Sequence, residues 1–232
     1  MEYMEQISFA LIWYVVFLFS ICCHEAAHSL VALKLGDPTA YLGGQVSLSP
    51  FPHVRREPLG TVLIPLVSFL ASGWMIGWAS APYDPHWAER YPKRSAVMSL
   101  AGPVSNLILV LLSGIAIRTG LAFGKFGISD DISFSRIVMP LHEGFFSGIA
   151  TMASIMFSLN LLLFVFNLIP LPPLDGSGVI PLVLPEKQAS SYVAFLHQHG
   201  SHFIFLIVAW KAVDYIFGPF FSRALDLLFM GV

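Results

Sequence analysis

The stretch Ile21-Cys22-Cys23-His24-Glu25-Ala26-Ala27-His28 ends an apolar run in which residues 7–23 carry no charge. On a helix, side chains four residues apart lie on one face, so the imidazoles of His24 and His28 can hold a single zinc ion. Glu25 lies near enough to take a proton from a zinc-bound water. Polar groups among apolar side chains are unfavourable unless something binds them, which favours a metal site over a chance pair.

The composition indicates an integral membrane protein. Hydrophobic residues make up 56% of the 232-residue chain and charged residues 11%, with a mean hydropathy of +0.74, whereas soluble domains carry about 25% charged residues. The lipid bilayer is therefore the expected surroundings. Nucleic acid is not an expected partner, because the net charge is −2 and no basic stripe is present. Cys22 and Cys23 are adjacent, which makes a normal disulfide between them implausible, so both are expected to be reduced.

Five apolar stretches are each near the roughly 20 residues that span a bilayer. They cover about residues 7–35, 58–83, 95–117, 144–170 and 203–222. The predicted fold class is an all-α polytopic membrane protein, a single domain over 1–232. Its core is expected at about 7–185 and a C-terminal membrane segment at about 203–222. The first helix is predicted to stop at Gly36-Asp37-Pro38, since glycine supplies a C-terminal cap and proline forbids continuation.

The segment from Tyr41 to Pro50 predicts a short membrane-associated strand or β-hairpin. Paired glycines precede the alternating residues Val46 to Ser49, a period-2 pattern typical of a strand. Bare strand edges are not tolerated in lipid, so such a strand must lie against protein or water. An ordinary surface loop is the alternative for this segment.

A third metal ligand is available after the fourth apolar stretch. A hydrolytic zinc site uses three protein ligands and keeps one position open for water. Asp175 lies at the end of Asn167–Asp175, where three prolines within four residues break the helix and leave backbone groups unpaired. At membrane depth this is tolerated only around a polar site. Taken alone, Leu174-Asp175-Gly176 also fits a simple turn.

Three motifs lie within or directly after apolar segments, in the order His24–His28, Ala101–Asn106 and Asn167–Gly176. In this combination the chain resembles the site-2 protease family, the M50 intramembrane zinc metalloproteases. The likeness covers about residues 15–185. It is closest to the short subgroup without PDZ or CBS domains, through Gly36–Ala40, Gly77–Ala79 and Pro92–Asn106.

The resemblance implies a site-2 protease-like helical core and assigns roles to five residues. It implies that His24, His28 and Asp175 are the zinc ligands. Glu25 matches the catalytic glutamate. Asn106 matches an asparagine near the active site, which implies a role in positioning the substrate backbone or the oxyanion. A hydrogen bond between helices is the alternative for Asn106.

The activity implied by the resemblance is zinc-dependent hydrolysis of peptide bonds in or near transmembrane segments of membrane-protein substrates, as in regulated intramembrane proteolysis. A different class, a non-proteolytic zinc transporter or sensor, is the alternative. His197, His199 and His202 favour that class, because histidine-rich tracts can bind metal. A solvated loop is the ordinary interpretation of such a tract, since Gly200 breaks the helical register.

The ligands also constrain the topology. His24 and His28 lie toward the end of the first helix, and Asp175 follows the 144–170 stretch, so both helices must end on one side. The number of crossings between them is then even, which predicts that 58–83 enters the membrane and returns. With that topology the metal side holds more Lys and Arg, so it is expected to face the cytoplasm of a prokaryotic cell, across the plasma membrane.

Overall fold

A computed structural model describes residues 2–142, 144–199 and 203–231. Within these residues the chain forms ten α-helices, a π-helical turn, a 3-10 turn and one antiparallel pair of strands. The elements are α1 (Glu2–Leu35), α2 (Thr39–Leu42), α3 (Pro50–Arg56), a π-helical turn (Leu59–Leu63), α4 (Ile64–Ser72), α5 (Pro85–Arg90), α6 (Pro92–Ala122), β1 (Phe126–Ser133), β2 (Arg136–Pro140), α7 (Phe145–Asn167), α8 (Asp175–Val179), a 3-10 turn (Ile180–Leu182), α9 (Glu186–His199) and α10 (Phe203–Phe229).

Among the described residues, three helices are long and apolar enough to cross a membrane, namely α1, α6 and α7. A fourth candidate is α10, whose parts Phe205–Val213 and Tyr215–Phe229 are bent by 41°. The first helix ends at Leu35, as predicted, and Gly36 follows with a φ of 106° that favours glycine. The all-α polytopic membrane fold predicted from the sequence is confirmed.

The three spanning helices pack against one another in a single bundle. Two buried apolar clusters hold the bundle together, and both include residues of α7. One joins α1 to α7 and includes Val16, Phe17, Ile155 and Leu159. The other joins α6, α7, the strand pair and α10, and includes Val110, Ile117, Phe157 and Ile137. This packing holds α1 and α6, which carry the first two sequence motifs, against each other.

The strands lie between α6 and α7, and the strand predicted at 41–50 is wrong. Tyr41 and Leu42 belong to α2, and the following residues form turns. These turns are fixed by side-chain hydrogen bonds, from Gln45 Nε2 to the Pro52 carbonyl at 3.0 Å and between His53 Nε2 and the Ser47 carbonyl at 2.8 Å. The alternation from Val46 to Ser49 therefore reflects a loop whose side chains satisfy its own backbone.

The observed strand pair follows α6 and rests on α7. Ile128 on β1 is opposite Val138 on β2. The backbone N–H groups of Ile137 and Val138 donate to the buried hydroxyl of Ser154 on α7, at 3.1 and 3.3 Å. At the turn of the hairpin, the ring of Phe134 stacks on Trp13 of α1 with a centroid distance of 5.6 Å. The hairpin is thus fixed to two spanning helices.

The segment 58–83 folds back on itself, which is the path that the parity of crossings predicts. Its helical limb ends at Gly73, whose φ of 74° reverses the chain, and residues 74–84 return without regular secondary structure. Beside the start of the helical limb, the Ser80 hydroxyl donates to Glu57 Oε1 at 2.6 Å and accepts from Arg56 Nε at 3.1 Å. Both ends of the segment therefore lie together, and we call residues 74–84 the return limb.

Candidate metal centre

The structure brings together the three residues predicted to be metal ligands. His24 and His28 lie on adjacent turns of α1, and Asp175 is the first residue of α8. Oδ2 of Asp175 lies 3.0 Å from Nε2 of His24 and 3.3 Å from Nε2 of His28, and the two Nε2 atoms are 3.0 Å apart. In the described part of the chain, this is the only group of His, Cys, Asp or Glu side chains close enough to hold a metal ion.

The Nδ1 atom of each histidine makes a hydrogen bond on the side away from this centre. Nδ1 of His28 lies 2.7 Å from the backbone carbonyl of Met98, and Nδ1 of His24 lies 2.6 Å from Oδ1 of Asn106. A carbonyl oxygen only accepts hydrogen bonds, so each Nδ1 carries a proton. In the neutral ring, the form that binds a metal, each Nε2 then directs a lone pair toward the carboxylate of Asp175.

The electron-pair donors therefore fit a zinc ion. Two imidazole nitrogens and one carboxylate oxygen converge within 3.3 Å, with no proton between them in this tautomeric state. Oδ2 of Asp175 is buried and has no hydrogen-bond partner. A cation placed among these three atoms would convert their mutual repulsion into attraction. Two histidines and one carboxylate also form a ligand set of hydrolytic zinc sites.

The loop before Asp175 folds back onto the end of α7. Gly176 makes this possible, because a Cβ atom there would overlap the backbone carbonyl groups of Leu168 and Ile169. The hydroxyl of Ser177 donates to the carbonyl of Leu174 at 2.8 Å and fixes the first turn of α8. The Leu174-Asp175-Gly176 sequence is therefore the start of α8 and not a simple turn, and this helix start brings the carboxylate to the two histidines.

On α6, Gly102 lies beside the metal centre. A Cβ atom at this position would overlap Nε2 of both His24 and His28. Glycine therefore leaves the space into which the two imidazoles project. Sequence reasoning treated this residue only as part of a motif and missed its contact with both rings.

Asn106 lies between the metal centre and α7. Its side chain is fully buried, with 0% exposure, one turn along α6 from Gly102. Oδ1 is engaged by His24, and Nδ2 donates to Oδ1 of Asn160 on α7 at 2.8 Å. The interhelical hydrogen bond, which was the alternative for this residue, is present in the structure. The expected role toward the substrate stays a prediction.

Glu25 borders a cavity of about 450 Å³ that opens beside the metal centre. Its carboxylate is not among the three converging donors, although it is on the same helix. The cavity walls come from the return limb, the loop before α8, and helices α6 and α9. The lining residues include Glu25, His28, Asp175, Ala79 to Tyr83, Ser95, Met98, Pro172 to Leu174, Val193, Leu196 and His197.

His197, the first histidine of the tract, has a structural role at the edge of this cavity. Burial raises the pKa of Tyr83, so its hydroxyl stays protonated and donates to Nε2 of His197 at 3.2 Å. Nδ1 of His197 then donates to Oε1 of Glu89 at 3.1 Å. Both ring nitrogens are engaged and not free to bind a metal. The side chain of His199 and all of His202 lie outside the described residues.

The fold and this centre define a zinc metalloprotease built into a bundle of apolar helices. The chain belongs to Peptidase family M50, whose family model matches residues 12–207. YwhC of Bacillus subtilis, whose name describes a zinc metalloprotease, is 35% identical over 185 residues, which cover 77% of this chain and 74% of YwhC.

Two further relatives are the Rip2 proteins of Mycolicibacterium smegmatis and Mycobacterium tuberculosis, whose names also describe zinc metalloproteases. They are 30% and 29% identical, over 74% and 81% of this chain. The matches cover 57% and 64% of the two Rip2 proteins, so this chain spans less than two thirds of their length. No solved structure matches the chain significantly. These comparisons favour the protease class over the transporter or sensor class considered as the alternative.

Proposed function

We propose that this protein is an intramembrane zinc endopeptidase that cleaves peptide bonds in or beside transmembrane segments of membrane-protein substrates. The observation that carries the proposal is the convergence of His24, His28 and Asp175 within 3.3 Å, at the wall of a cavity that Glu25 also lines. The burial of these groups among apolar helices supports a reaction below the membrane surface rather than in bulk water.

In this proposal His24, His28 and Asp175 hold the zinc ion. The bound ion would supply Lewis-acid chemistry, lowering the pKa of a water toward about 7 and polarising the scissile carbonyl group. Glu25 accepts the proton of the attacking water and later delivers it to the leaving amide nitrogen. Its free carboxylate beside the cavity suits this role, because a general base must not be a ligand.

The substrate has to be unwound, because helical hydrogen bonds shield the carbonyl groups of its backbone. The return limb is placed to receive it, since Ala79 to Tyr83 line the same cavity as Glu25 and His28. These residues belong to no sheet in the described part of the chain. We infer that the unwound substrate lies along this limb as an added strand.

The charges support an orientation with the zinc centre toward the cytoplasm. The contacts of Ser80 with Arg56 and Glu57 support keeping both ends of the re-entrant segment on one side. That side then holds Arg55, Arg56, Arg90, Lys93, Arg94 and Lys187, against Arg118, Lys125 and Arg136 on the other. The side richer in Lys and Arg is cytoplasmic under the positive-inside rule, across the plasma membrane of a prokaryotic cell.

The test uses the purified full chain in lipid nanodiscs with a fluorogenic transmembrane peptide library. Glu25→Gln is expected to keep bound zinc and to lower cleavage by at least about 10²-fold, as removal of a general base does. Glu5→Gln is the matched control on the exposed start of the same helix, and it should leave both values unchanged. Near-normal cleavage by Glu25→Gln would refute the assigned mechanism.

A further inference from the structure

Asn160 is a fully buried amide in the middle of the apolar helix α7, and it does not line the catalytic cavity. Its Nδ2 donates to the backbone carbonyl of Met156 at 2.8 Å and to the hydroxyl of Ser20 on α1 at 2.9 Å. Its Oδ1 accepts from Nδ2 of Asn106 on α6 at 2.8 Å. The side chain therefore bonds to all three spanning helices at once.

The partners on α7 and α1 determine which amide atom of Asn160 is the nitrogen and which is the oxygen. The Met156 carbonyl can only accept, so the amide nitrogen of Asn160 must face it. The hydroxyl of Ser20 gives its single proton to the Val16 carbonyl at 2.7 Å, so toward Asn160 it also accepts. The opposite orientation of the amide would set oxygen against oxygen at both contacts. Oδ1 of Asn160 is therefore held toward Asn106.

This orientation passes through Asn106 to the first histidine of the metal centre. Because Asn106 meets an oxygen of Asn160, it must present its own Nδ2 there and its Oδ1 toward His24. The oxygen of Asn106 then requires a proton on Nδ1 of His24, which in the neutral ring leaves Nε2 unprotonated on the side of Asp175. A backbone carbonyl of α7 thus determines, through two amides, which nitrogen of His24 carries the proton in the neutral ring.

We propose that Asn160 is a positioning residue for zinc, which acts by selecting the metal-binding tautomer of His24 through Asn106. The inference rests on the proposed function, because it takes His24 to be a zinc ligand. It differs from a packing role in one respect. A packing residue would affect zinc binding independently of Asn106, whereas a residue that acts through Asn106 has no further effect once that amide is gone.

The experiment measures zinc affinity of the full chain in nanodiscs by competition with a chelator. Asn160→Leu, which keeps the volume and removes the amide, is expected to weaken zinc binding by about 10-fold to 100-fold, the range for loss of an outer partner of a metal-bound histidine. Asn106→Leu should weaken it at least as much, and the double variant no more than Asn106→Leu alone. Ser154→Ala, which removes a buried hydroxyl of α7 that binds β2, is the matched control and should bind zinc as the wild type does.

Wild-type affinity in Asn160→Leu, or additive losses in the double variant, would overturn the inference. If Asn160→Leu fails to fold, Asn160→Asp replaces it. A protonated aspartate can still donate to Met156 and present an oxygen to Asn106, so zinc affinity should stay close to wild type, and a loss of 10-fold or more, about 1.4 kcal/mol, would contradict the mechanism. Unchanged zinc binding in His24→Ala would instead refute the proposed function itself.

Discussion

The backbone N–H of Trp78 donates to the carbonyl oxygen of Gly60 at 3.1 Å, and this contact joins the two limbs of the re-entrant segment. The limbs approach at backbone distance because the residues facing each other here, Gly60 and Gly77, have no side chains. A Cβ atom on Gly77 would overlap the Gly60 carbonyl, and one on Gly60 would overlap the backbone and ring of Trp78. The contact fixes the return limb immediately before it reaches the catalytic cavity.

We expect Gly77→Ala to displace the return limb and to weaken substrate binding. Overpacking of this kind destabilises by about 1–3 kcal/mol. If the displaced limb loses about 1.4 kcal/mol of substrate-binding free energy, KM for a peptide substrate rises about tenfold. Zinc content should not change, because Gly77 does not contact the ligands.

Steady-state kinetics and metal analysis of the same preparation check this prediction. Gly148→Ala on α7 is the matched control, since the only atom near its added Cβ is Cδ1 of Ile12 at 3.9 Å. Equal KM values for the two variants would show that the return limb does not hold the substrate.

Cysteine labelling tests the topology. Single cysteines at the exposed positions Ser49, His86 and Asp130, in a background without Cys22 and Cys23, are treated with an impermeant thiol reagent. Positions 49 and 86 flank the re-entrant segment and should be labelled only in inverted vesicles. Position 130 lies on β1, after one full crossing by α6, and should be labelled in intact cells. Labelling of positions 49 and 86 from opposite faces would contradict the re-entrant path.

Metal analysis tests the ligand set. The wild-type chain is expected to hold one zinc ion, and the double variant His24→Ala, His28→Ala to hold none. Asp175→Asn should bind zinc more weakly, because a neutral amide oxygen replaces the buried carboxylate. The control is His86→Ala, which removes an exposed histidine on α5. Undiminished zinc in the double variant would place the metal elsewhere.

His197→Ala separates a structural role of His197 from a metal-binding role. Zinc content should remain at one ion per chain, since both ring nitrogens already engage Tyr83 and Glu89. Loss of these two hydrogen bonds, worth about 0.5–1.5 kcal/mol each, should loosen α9 over the cavity. Hydrogen exchange of the α9 amides is expected to become about tenfold faster. A fall in zinc content with unchanged exchange would support the metal-binding role instead.

The sequence predicted what depends on local chemistry. Helical spacing was enough to place His24 and His28 on one face, and Gly36 with Pro38 was enough to end α1. The parity of crossings predicted the return of 58–83, although no local pattern distinguishes a re-entrant segment from a span. The predicted strand was wrong, since Gln45 and His53 hold that segment as a loop through contacts that a period-2 pattern does not contain.

The residues behind the metal ligands, Asn106 and Asn160, were harder to predict from the sequence. The role of Asn106 depends on which helix it faces, and a single sequence does not give the rotation of one helix against another. For Asn160 the sequence does contain an indication, because it is an amide within an uncharged apolar run. Such groups in membrane helices form hydrogen bonds with neighbouring helices. The partners of Asn160 became clear only when α1, α6 and α7 were placed together.

At Gly102, the interior of the enzyme has room for one hydrogen atom and not for one methyl group. A descendant of this chain could therefore keep both histidines, the glutamate and the aspartate and still lose its metal through a change of glycine to alanine on a different helix. Catalytic competence in such proteins has to be judged from the facing helix as well as from the ligands. The glycine and the asparagine of Gly102-Pro103-Val104-Ser105-Asn106 therefore serve the same site. Gly102 leaves space for both imidazoles, and Asn106 orients one of them.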